Sequence, residues 1–275
     1  MAKNMKLKIG IVGCGAIGSS LAKEINLNFR KNAVLAGLFD LKPEKSLLLS
    51  KKIVKSARLC VSSLDTLIKK SDLVIEASSG KVSWEIAAKS LSQGRKVMVM
   101  SVGGIVGHLD QLLALAAKRN GQAYFPSGAI CGIDGLKAAN IAGVQKITLT
   151  TRKHPKAFAG VEYVSENFNL VGLKKDKILF DGTAGQAVKY FPQNINVAAV
   201  LGLAGIGVAK TKVRIIASPS VDKNIHEVLI ESKAAKIFTR TENVLHPQNP
   251  KTSYLAVLSA IATLKQILQP VKIGT

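Results

Sequence analysis

The sequence predicts an α/β protein of two domains, with a parallel sheet covered by helices in its N-terminal half and an α+β domain after it. Short apolar runs alternate with amphipathic helical stretches over roughly the first 125 residues. The runs are apolar at successive positions, which is typical of strands buried on both faces. Beyond residue 145 the runs alternate polar and apolar residues, which favours a sheet with one solvated face.

Spacing and turn residues predict each element of the N-terminal half. Strands are expected over residues 7–12, 34–39, 58–61, 73–77, 96–100 and 122–125. Helices are expected over residues 19–29, 64–70, 82–91 and 109–119, and a lysine-rich helix follows Pro43. In the first helix, Leu21, Ile25 and Phe29 recur at the spacing of one helix face.

The C-terminal half is predicted as an antiparallel sheet with helices. Strands are expected over residues 146–151, 212–216, 225–230 and 235–241. The apolar run 195–209 is predicted as a buried helix, since a membrane span needs about 20 apolar residues, and a long helix follows Asn249-Pro250 over 252–268. The alternation of strands and helices stops near Ser127-Gly128, so the domains are predicted over 1–127 and 128–251.

Composition excludes several classes of protein. The 275 residues are 47% apolar, which argues against disorder, and three cysteines are too few for a disulfide scaffold. Lysine and arginine number 39 against 17 acidic residues, giving a net charge of +22, but only seven of the 39 are arginine. With 5% aromatic residues as well, the chain lacks the features of a nucleic-acid-binding protein. No targeting segment precedes the first strand, so we expect a cytoplasmic protein without a membrane partner.

A glycine-rich turn after the first strand is the strongest cofactor motif. Gly13-Cys14-Gly15-Ala16-Ile17-Gly18 matches the G-x-G-x-x-G pattern of a Rossmann dinucleotide-binding domain. Gly13 permits the tight turn, Gly15 lets a pyrophosphate approach the helix N-terminus, and Gly18 lets the helix pack closely on the strand. The predicted cofactor contacts in this turn are Gly13, Gly15, Ala16, Ile17 and Gly18.

The choice between NAD and NADP stays open. Asp40 follows the second strand, 22 residues after Gly18, where a carboxylate can bind the ribose hydroxyls of NAD. Lys42 and Lys45 come directly after it and could hold the 2′-phosphate of NADP. The glycine pair at 103–104 and the loop 77–80 follow later strands, at the same edge of the sheet as the glycine-rich turn.

A series of later motifs makes the sequence resemble the L-aspartate dehydrogenase family over nearly its whole length. The series comprises Ser127-Gly128-Ala129-Ile130-Cys131-Gly132-Ile133-Asp134, Thr150-Thr151-Arg152-Lys153, Phe191-Pro192-Gln193-Asn194-Ile195-Asn196-Val197-Ala198-Ala199, Asn224-Ile225-His226-Glu227 and Asn249-Pro250-Lys251-Thr252-Ser253-Tyr254-Leu255-Ala256. These segments are more specific than the glycine motif, which many dehydrogenases share.

The resemblance implies a function and several site residues. Members of this family oxidise L-aspartate to iminoaspartate with NAD or NADP and belong to de novo NAD biosynthesis. The catalytic histidine of the family matches His226, and its further cofactor contacts match Ala129 and Asn196. The family also implies a homodimer formed by the second domain, and a C-terminal helix, within 252–275, that returns to the nucleotide-binding domain.

The chemistry has a place for His226. Hydride can leave the Cα of aspartate only when the amine is neutral, and a neutral imidazole can take that proton or order the water that attacks the imine. The two substrate carboxylates need cationic or hydroxyl donors, for which Lys251, Thr252 and the pair Arg152-Lys153 are candidates. The sequence shows no zinc-like spacing of ligands, so no metal is predicted.

The sequence leaves two other functions open. One is another oxidoreductase of similar architecture, such as a homoserine dehydrogenase, although the segments around His226 and Lys251 do not suggest it. The other is a non-catalytic protein that responds to NAD. Dihydrodipicolinate reductase is excluded, because its paired histidines and its Pro-Ser-Gly-Thr run are missing.

Overall fold

A computed structural model describes residues 5–191, 195–247 and 249–274, with the side chains of Pro250 and Lys251 outside the described part. The chain forms two compact units. Among the described residues, the first unit comprises 5–126 and Ala260–Ile273, and the second comprises those of Ser127–Ser259 together with Gly274. The predicted α/β class, with a parallel N-terminal sheet, is confirmed.

The first unit is built on five parallel strands in the order β2-β1-β3-β4-β5. The strands are β1 Leu7–Val12, β2 Ala33–Phe39, β3 Leu73–Glu76, β4 Lys96–Val99 and β5 Ala123–Tyr124. The helices between them are α1 Ala16–Leu27, α2 Pro43–Val54, α3 Leu64–Lys70, α4 Gly80–Ser92 and α5 Leu109–Lys118. The order of strands places β1, after which the nucleotide motif begins, inside the sheet between β2 and β3.

Both faces of this sheet are covered, which explains why its strands are apolar at successive positions. On one face, Ile9 and Ile75 pack with Leu21 of α1. On the other face, Val74 and Val97 pack with other helices. The alternate side chains of each strand thus enter different cores, and both cores exclude water.

The prediction of a strand over residues 58–61 is wrong. Within the segment, Cys60 alone pairs with β2, as an isolated parallel bridge to Leu38. The backbone just before it turns back on α2, because the Ser50 hydroxyl donates to the carbonyl of Ser56 and accepts from the amide of Leu59. This turn shortens the extended stretch to a single bridge.

The second unit is built on a five-stranded sheet in the order β10-β9-β6-β8-β7. Its strands are β6 Val144–Lys153, β7 Lys177–Thr183, β8 Lys212–Ala217, β9 Asn224–Ser232 and β10 Lys236–Asn243. Its helices are α6 Ile133–Ile141, α7 Glu162–Asn167, α8 Ala184–Tyr190 and α9 Asn196–Ala204. The sheet is not wholly antiparallel as predicted, because β6 and β8 are parallel. The chain from β6 to β8 is long enough for a crossover that contains β7, α8 and α9.

One face of this sheet carries the apolar core of the second unit. Ile147 and Leu149 of β6 and Val228 and Ile230 of β9 pack there among helices. The opposite face carries partly or fully exposed side chains, including Phe238 at 62% exposure. The alternation seen in the sequence therefore marks a real difference between the two faces.

The final segments differ in detail from the predicted helices. Helix α9 ends at Ala204, five residues before the predicted end of the apolar run, and a turn follows with Gly207 at positive φ. The last helix, α10 Tyr254–Leu268, begins two residues later than predicted. Thr252 instead lies in β12 Asn249–Ser253, which pairs with β11 Leu245–His246.

Helix α10 contributes to both cores. Ala256 packs against the core of the second unit, and Ala260 and Leu264 lie fully buried in a core of the first. Among the helices of the described chain, none has the length and apolar character needed to cross a membrane.

Truncating the buried face of α10 should destabilise the first unit. We expect Leu264→Ala to lower the free energy of unfolding by about 2–5 kcal/mol, because it opens a cavity in the core. Leu258→Ala, on the same helix but 40% exposed, should cost less than about 1 kcal/mol. Urea unfolding followed by circular dichroism measures both values, and equal losses would contradict the assignment of Leu264 to the core.

Candidate active site

Two glycines of the β1–α1 turn are required by close backbone packing. Gly13 has a φ of +92°, and a Cβ there would lie 2.4 Å from the carbonyl oxygen of Ala77. A Cβ on Gly18 would lie 1.9 Å from the carbonyl oxygen of Gly13. Any side chain at either position would push α1 or the β3–α4 loop away, so the turn keeps its shape only with glycine.

Gly15 differs from these two, since a Cβ there would meet nothing within 4 Å. Gly15 is the N-cap residue of α1, with no side-chain cap and no acidic residue in the first turn. The first amides of a helix have no partner within the helix, and the helix dipole favours an anion there. Ala16 and Ile17 belong to this first turn. The open space and free helix end fit the pyrophosphate of a dinucleotide.

A cavity of about 470 Å³ extends from this turn along the first unit. Its lining includes Gly13, Gly15, Asp40, Lys42 and Lys45. Apolar side chains, including Phe39, Leu64 and Ile86, form most of the remaining wall. A pocket of this size, with apolar walls and a few polar groups, suits a nucleoside moiety.

Asp40 joins the glycine turn to the next loop. Its carboxylate accepts a hydrogen bond from the amide of Cys14 at 2.7 Å and another from the amide of Lys42 at 2.9 Å. A carboxylate offers about four acceptor positions. Asp40 can therefore hold both loops and still accept from ribose hydroxyls, as the sequence predicts.

The same cavity also offers cations for a 2′-phosphate. Lys42 and Lys45 line it beside Asp40. The arrangement therefore suits both NAD and NADP, and the alternative left open by the sequence stays open. Cys14 is buried, and burial, with a further contribution from Asp40, raises the pKa of its thiol to about 12. That thiol is a packing group, as its small size and position suggest.

Glu76 is a site residue that sequence reasoning missed. It ends β3 fully buried, and its carboxylate accepts hydrogen bonds from the amide and hydroxyl of Ser78 and from the amide and hydroxyl of Ser101. It thus ties the loop after β3 to the loop after β4. An acidic residue inside the apolar run Leu73-Val74-Ile75-Glu76-Ala77 is the signal that could have found it, because a buried charge needs specific partners.

His226 lies in the second unit, on the core face of β9. It pairs across the sheet with Thr151 of β6 on one side and Thr241 of β10 on the other. The Thr151 hydroxyl lies 3.0 Å from its Nδ1 atom. Burial, and then the positive charge of Lys153, lower the pKa of the imidazole to about 3, so His226 is neutral at physiological pH.

His226 belongs to a polar cluster at one end of an otherwise apolar sheet face. The members of this polar cluster, all buried or half-buried, are Thr151, Lys153, Asn224, His226, Thr241 and Asn243. Ala129 joins it through its carbonyl oxygen, which accepts from the Thr241 hydroxyl and the Asn243 amide, each at 3.0 Å. Buried polar groups gathered in one place usually serve a ligand or a network.

One atom of the polar cluster supports the presence of a ligand. The side-chain amide of Asn243 donates to the carbonyls of Ala129 and Asn224, which fixes its orientation. Its Oδ1 atom is buried and has no hydrogen-bond partner among the residues that the structure describes. An unsatisfied buried acceptor of this kind costs about 1–3 kcal/mol, and a bound donor would remove that cost.

The remaining predicted residues are not all gathered at this cluster. Arg152 lies on the opposite face of β6, where it forms ion pairs with Glu227 and Asp176. Thr252 lies in β12 and accepts a hydrogen bond from the side chain of Asn249. Asn196 is the first residue of α9 and is half-buried.

Some predictions fall outside the described residues. These are the side chain of Lys251 and residues 192–194 of the motif that precedes Asn196. In the part of the chain that is described, no group of histidine, cysteine, aspartate and glutamate side chains could hold a metal ion.

Two family models match successive parts of the chain. The model described as aspartate dehydrogenase, C-terminal, matches residues 134–267. The model described as homoserine dehydrogenase, NAD binding domain, matches residues 13–126. The glycine turn and Asp40 lie in the second match, and His226 lies in the first.

The sequence matches to known proteins cover nearly the whole chain. The L-aspartate dehydrogenase of Methanosarcina mazei is 46% identical over 272 residues, which cover 98% of this chain and 100% of that protein. The crystal structure of aspartate dehydrogenase from Thermotoga maritima is 25% identical, with a TM-score of 0.74, and covers 98% of this chain and 100% of that one.

A more distant likeness shows the fold alone. A hyperthermophilic archaeal homoserine dehydrogenase in complex with NADPH is 16% identical, with a TM-score of 0.57, and the match covers 95% of this chain and 98% of that one. The alternative of a homoserine dehydrogenase thus shares architecture with this chain at low sequence identity.

The buried histidine should make stability depend on pH. In the folded chain His226 stays neutral down to about pH 3, whereas the unfolded chain takes up this proton near pH 6.5. The unfolded state therefore binds more protons between these values, and the free energy of unfolding falls as the pH drops from 6.5 towards 3. His226→Asn should remove this part of the pH dependence.

Urea unfolding at several pH values between 4 and 7 measures how steeply the free energy of unfolding changes with pH. Val228→Ala is the matched control, because it lies on the same strand and face and carries no ionisable group. It should lower the free energy of unfolding equally at every pH. An unchanged slope in His226→Asn would contradict the burial of a neutral imidazole.

Proposed function

The chain belongs to the L-aspartate dehydrogenase family, and from this premise we propose that it oxidises L-aspartate to iminoaspartate with NAD or NADP. Full-length relatives confirm the resemblance seen in its motifs. The observation that carries the proposal is a buried, neutral His226 held by Thr151 beside a buried lysine, in a chain that also has a dinucleotide-binding turn.

The first unit supports the binding of the cofactor. Gly15 leaves the end of α1 open for the pyrophosphate, and Asp40 offers acceptors for the ribose. Glu76 holds two loops at the carboxyl edge of the sheet, where ligands of such folds bind. When bound, the nicotinamide supplies the hydride acceptor.

The second unit supports the proton transfers. The Thr151 hydroxyl engages Nδ1 of His226, which leaves Nε2 for the substrate. The imidazole takes a proton from the substrate ammonium, which frees the nitrogen lone pair that becomes part of the imine. A bound dicarboxylate brings negative charge beside His226 and raises its pKa from the value in the free chain, which makes it a stronger base. Ala129 and Asn196 are proposed as contacts to the cofactor.

The product follows from this chemistry. Loss of hydride from Cα and of a proton from nitrogen leaves iminoaspartate, and water then converts it to oxaloacetate and ammonia. We propose that the iminoaspartate formed by this chain feeds de novo NAD biosynthesis, as the family resemblance implies.

We also propose that the chain is a homodimer formed through the open face of the second sheet. The support is an exposed aromatic side chain on β10, Phe238, on the face opposite the core. Leu229 is its cross-strand neighbour on β9 and is half-buried. Apolar side chains on a sheet face gain about 25 cal/mol per Å² when a second copy covers them.

The central proposal is tested by following reduction of NAD and of NADP at 340 nm with a panel of L-amino acids. We expect L-aspartate to give the highest kcat/KM, with either or both cofactors. L-Homoserine in the same panel tests the alternative substrate. No response to L-aspartate with either cofactor would overturn the proposal.

His226→Asn is the matched variant for this assay. It keeps a polar side chain of similar size but cannot accept the proton, so kcat should fall by about 10²–10⁴-fold. The affinity for NAD, measured by quenching of protein fluorescence, should stay within about twofold of that of the unmodified chain. A normal kcat would exclude His226 from the reaction.

The dimer is tested by light scattering on a size-exclusion column. We expect a mass of twice 29.2 kDa for the unmodified chain and a lower average mass for Phe238→Asp, because a buried carboxylate is unfavourable in an apolar interface. Leu113→Asp, at another exposed apolar side chain in the first unit, serves as the control. A dimer unaffected by Phe238→Asp would place the interface elsewhere.

A further inference from the structure

We propose that Lys153 is the cation that binds a carboxylate of the substrate, and this inference rests on the function proposed above. The sequence offered the adjacent pair Arg152-Lys153 as candidates for this role. The structure separates them, and it places Lys153 with His226.

The separation follows from the alternation of β6. Successive side chains of a strand point to opposite faces, so Thr151 and Lys153 share the core face and Arg152 lies on the other. Thr151 is the direct cross-strand partner of His226 and contacts its ring. Lys153 follows two residues later on the same face, close enough for its charge to lower the pKa of His226.

Arg152 has other partners. Its guanidinium forms ion pairs with Glu227 on the neighbouring strand and with Asp176. Glu227 also pairs with Arg240 of β10. This network compensates the charge of Arg152 on the opposite face, which makes Arg152 a structural residue and leaves Lys153 as the member of the pair on the His226 face.

The surroundings of Lys153 suit an incoming anion. Lys153 is 6% exposed. Its partner on β8 is Ala217, and on β9 the register runs from His226, opposite Thr151, towards Asn224, which in turn pairs with Asn243 of β10. All of these neighbours are neutral at physiological pH. A buried cation costs several kcal/mol unless negative charge or hydrogen bonds compensate it. Lys153 has contacts within the protein, and an ammonium with three donors can keep these and still bind a carboxylate.

Two neighbours extend the match from a carboxylate to an amino acid. Nε2 of His226 is left for the substrate by the contact of Nδ1 with Thr151. The Oδ1 atom of Asn243 is a buried acceptor without a partner among the described residues, as an ammonium requires. The polar cluster thus gathers a cation for a carboxylate, a base for the proton and an acceptor for the amine.

Protonation of Lys153 is coupled to binding. Burial lowers the pKa of its ammonium from 10.5 to about 8, and a carboxylate beside it would raise this pKa again. Below pH 8 the Lys153 side chain already carries its positive charge. Above pH 8 it must take up a proton when the carboxylate binds, so the affinity for the substrate falls as the pH rises. His226 is the other ionisable group facing Lys153 from β9, while Thr241 and Asn243 of β10 and Ala217 of β8 carry none.

The test compares Lys153→Met and Lys153→Arg with a control, Lys146→Met. Lys146 lies on the same strand but is exposed and paired with Glu231 on the other side of the sheet. We expect Lys153→Met to raise the KM for L-aspartate about 10- to 100-fold and to change kcat less. A change in affinity of this size is typical when a hydrogen bond to a charged group is lost. Lys153→Arg should recover part of the loss, and Lys146→Met should change neither constant more than about twofold.

The pH profile gives a readout that a structural lysine would not move. In the unmodified chain, kcat/KM for L-aspartate should fall above pH 8. In Lys153→Met this fall should vanish, while the affinity for NAD stays within about twofold. A lower kcat with an unchanged KM would assign Lys153 to a chemical step and overturn the binding role.

Succinate separates this inference from the proposed function, because it is a dicarboxylate that cannot be oxidised at a Cα–N bond. Succinate should raise the melting temperature of the unmodified chain and of Lys146→Met, but not that of Lys153→Met. If L-aspartate is not oxidised but succinate behaves in this way, the proposed function fails and the anion site stands. If L-aspartate is oxidised and Lys153→Met keeps the normal KM and succinate response, the inference is wrong.

Discussion

The register between β6 and β9 is the constraint on which the second unit depends. Pairing Thr151 with His226 sets which side chains of both strands enter the core. A slip of one residue would turn the whole apolar set outward, and it would exchange Lys153 for Arg152. That slip is opposed by the burial of the apolar side chains on this face, which include Ile147, Leu149, Val228 and Ile230. The same packing that stabilises the sheet therefore holds the polar cluster in place.

The first unit differs from the second, because its proposed ligand site is formed mostly by backbone groups of loops. Loops at the carboxyl edge of a parallel sheet have amides that need partners when they are drawn together. Two carboxylates supply them: Asp40 accepts from the glycine turn and the following loop, and Glu76 accepts from the two loops beside it. With Gly13 and Gly18 allowing close approach, the edge is shaped before any cofactor binds.

Much of the fold could be predicted because local signals agreed with the final packing. Strand β1 and helix α3 have the predicted bounds, and the glycine turn follows β1 as expected. The segment 58–61 has the composition of a strand, but a turn fixed by Ser50 leaves room for one bridge. The parallel pairing of β6 with β8 is set by contacts distant in sequence, which alternation alone does not encode. The resemblance pointed to His226, yet the roles of Thr151 and Asn243 depend on neighbours across the sheet.

Helix α10 is synthesised last, yet it supplies part of the core of the first unit. The core of the first unit contains Ala260 and Leu264, which leave the ribosome after the 133 residues from 127 to 259. At typical rates of synthesis this delay is on the order of ten seconds. During translation the N-terminal unit therefore lacks these two core side chains until residues 127–259 of the second unit have been made. The core that begins with the first strand of the chain can thus be completed only after the second unit has been synthesised.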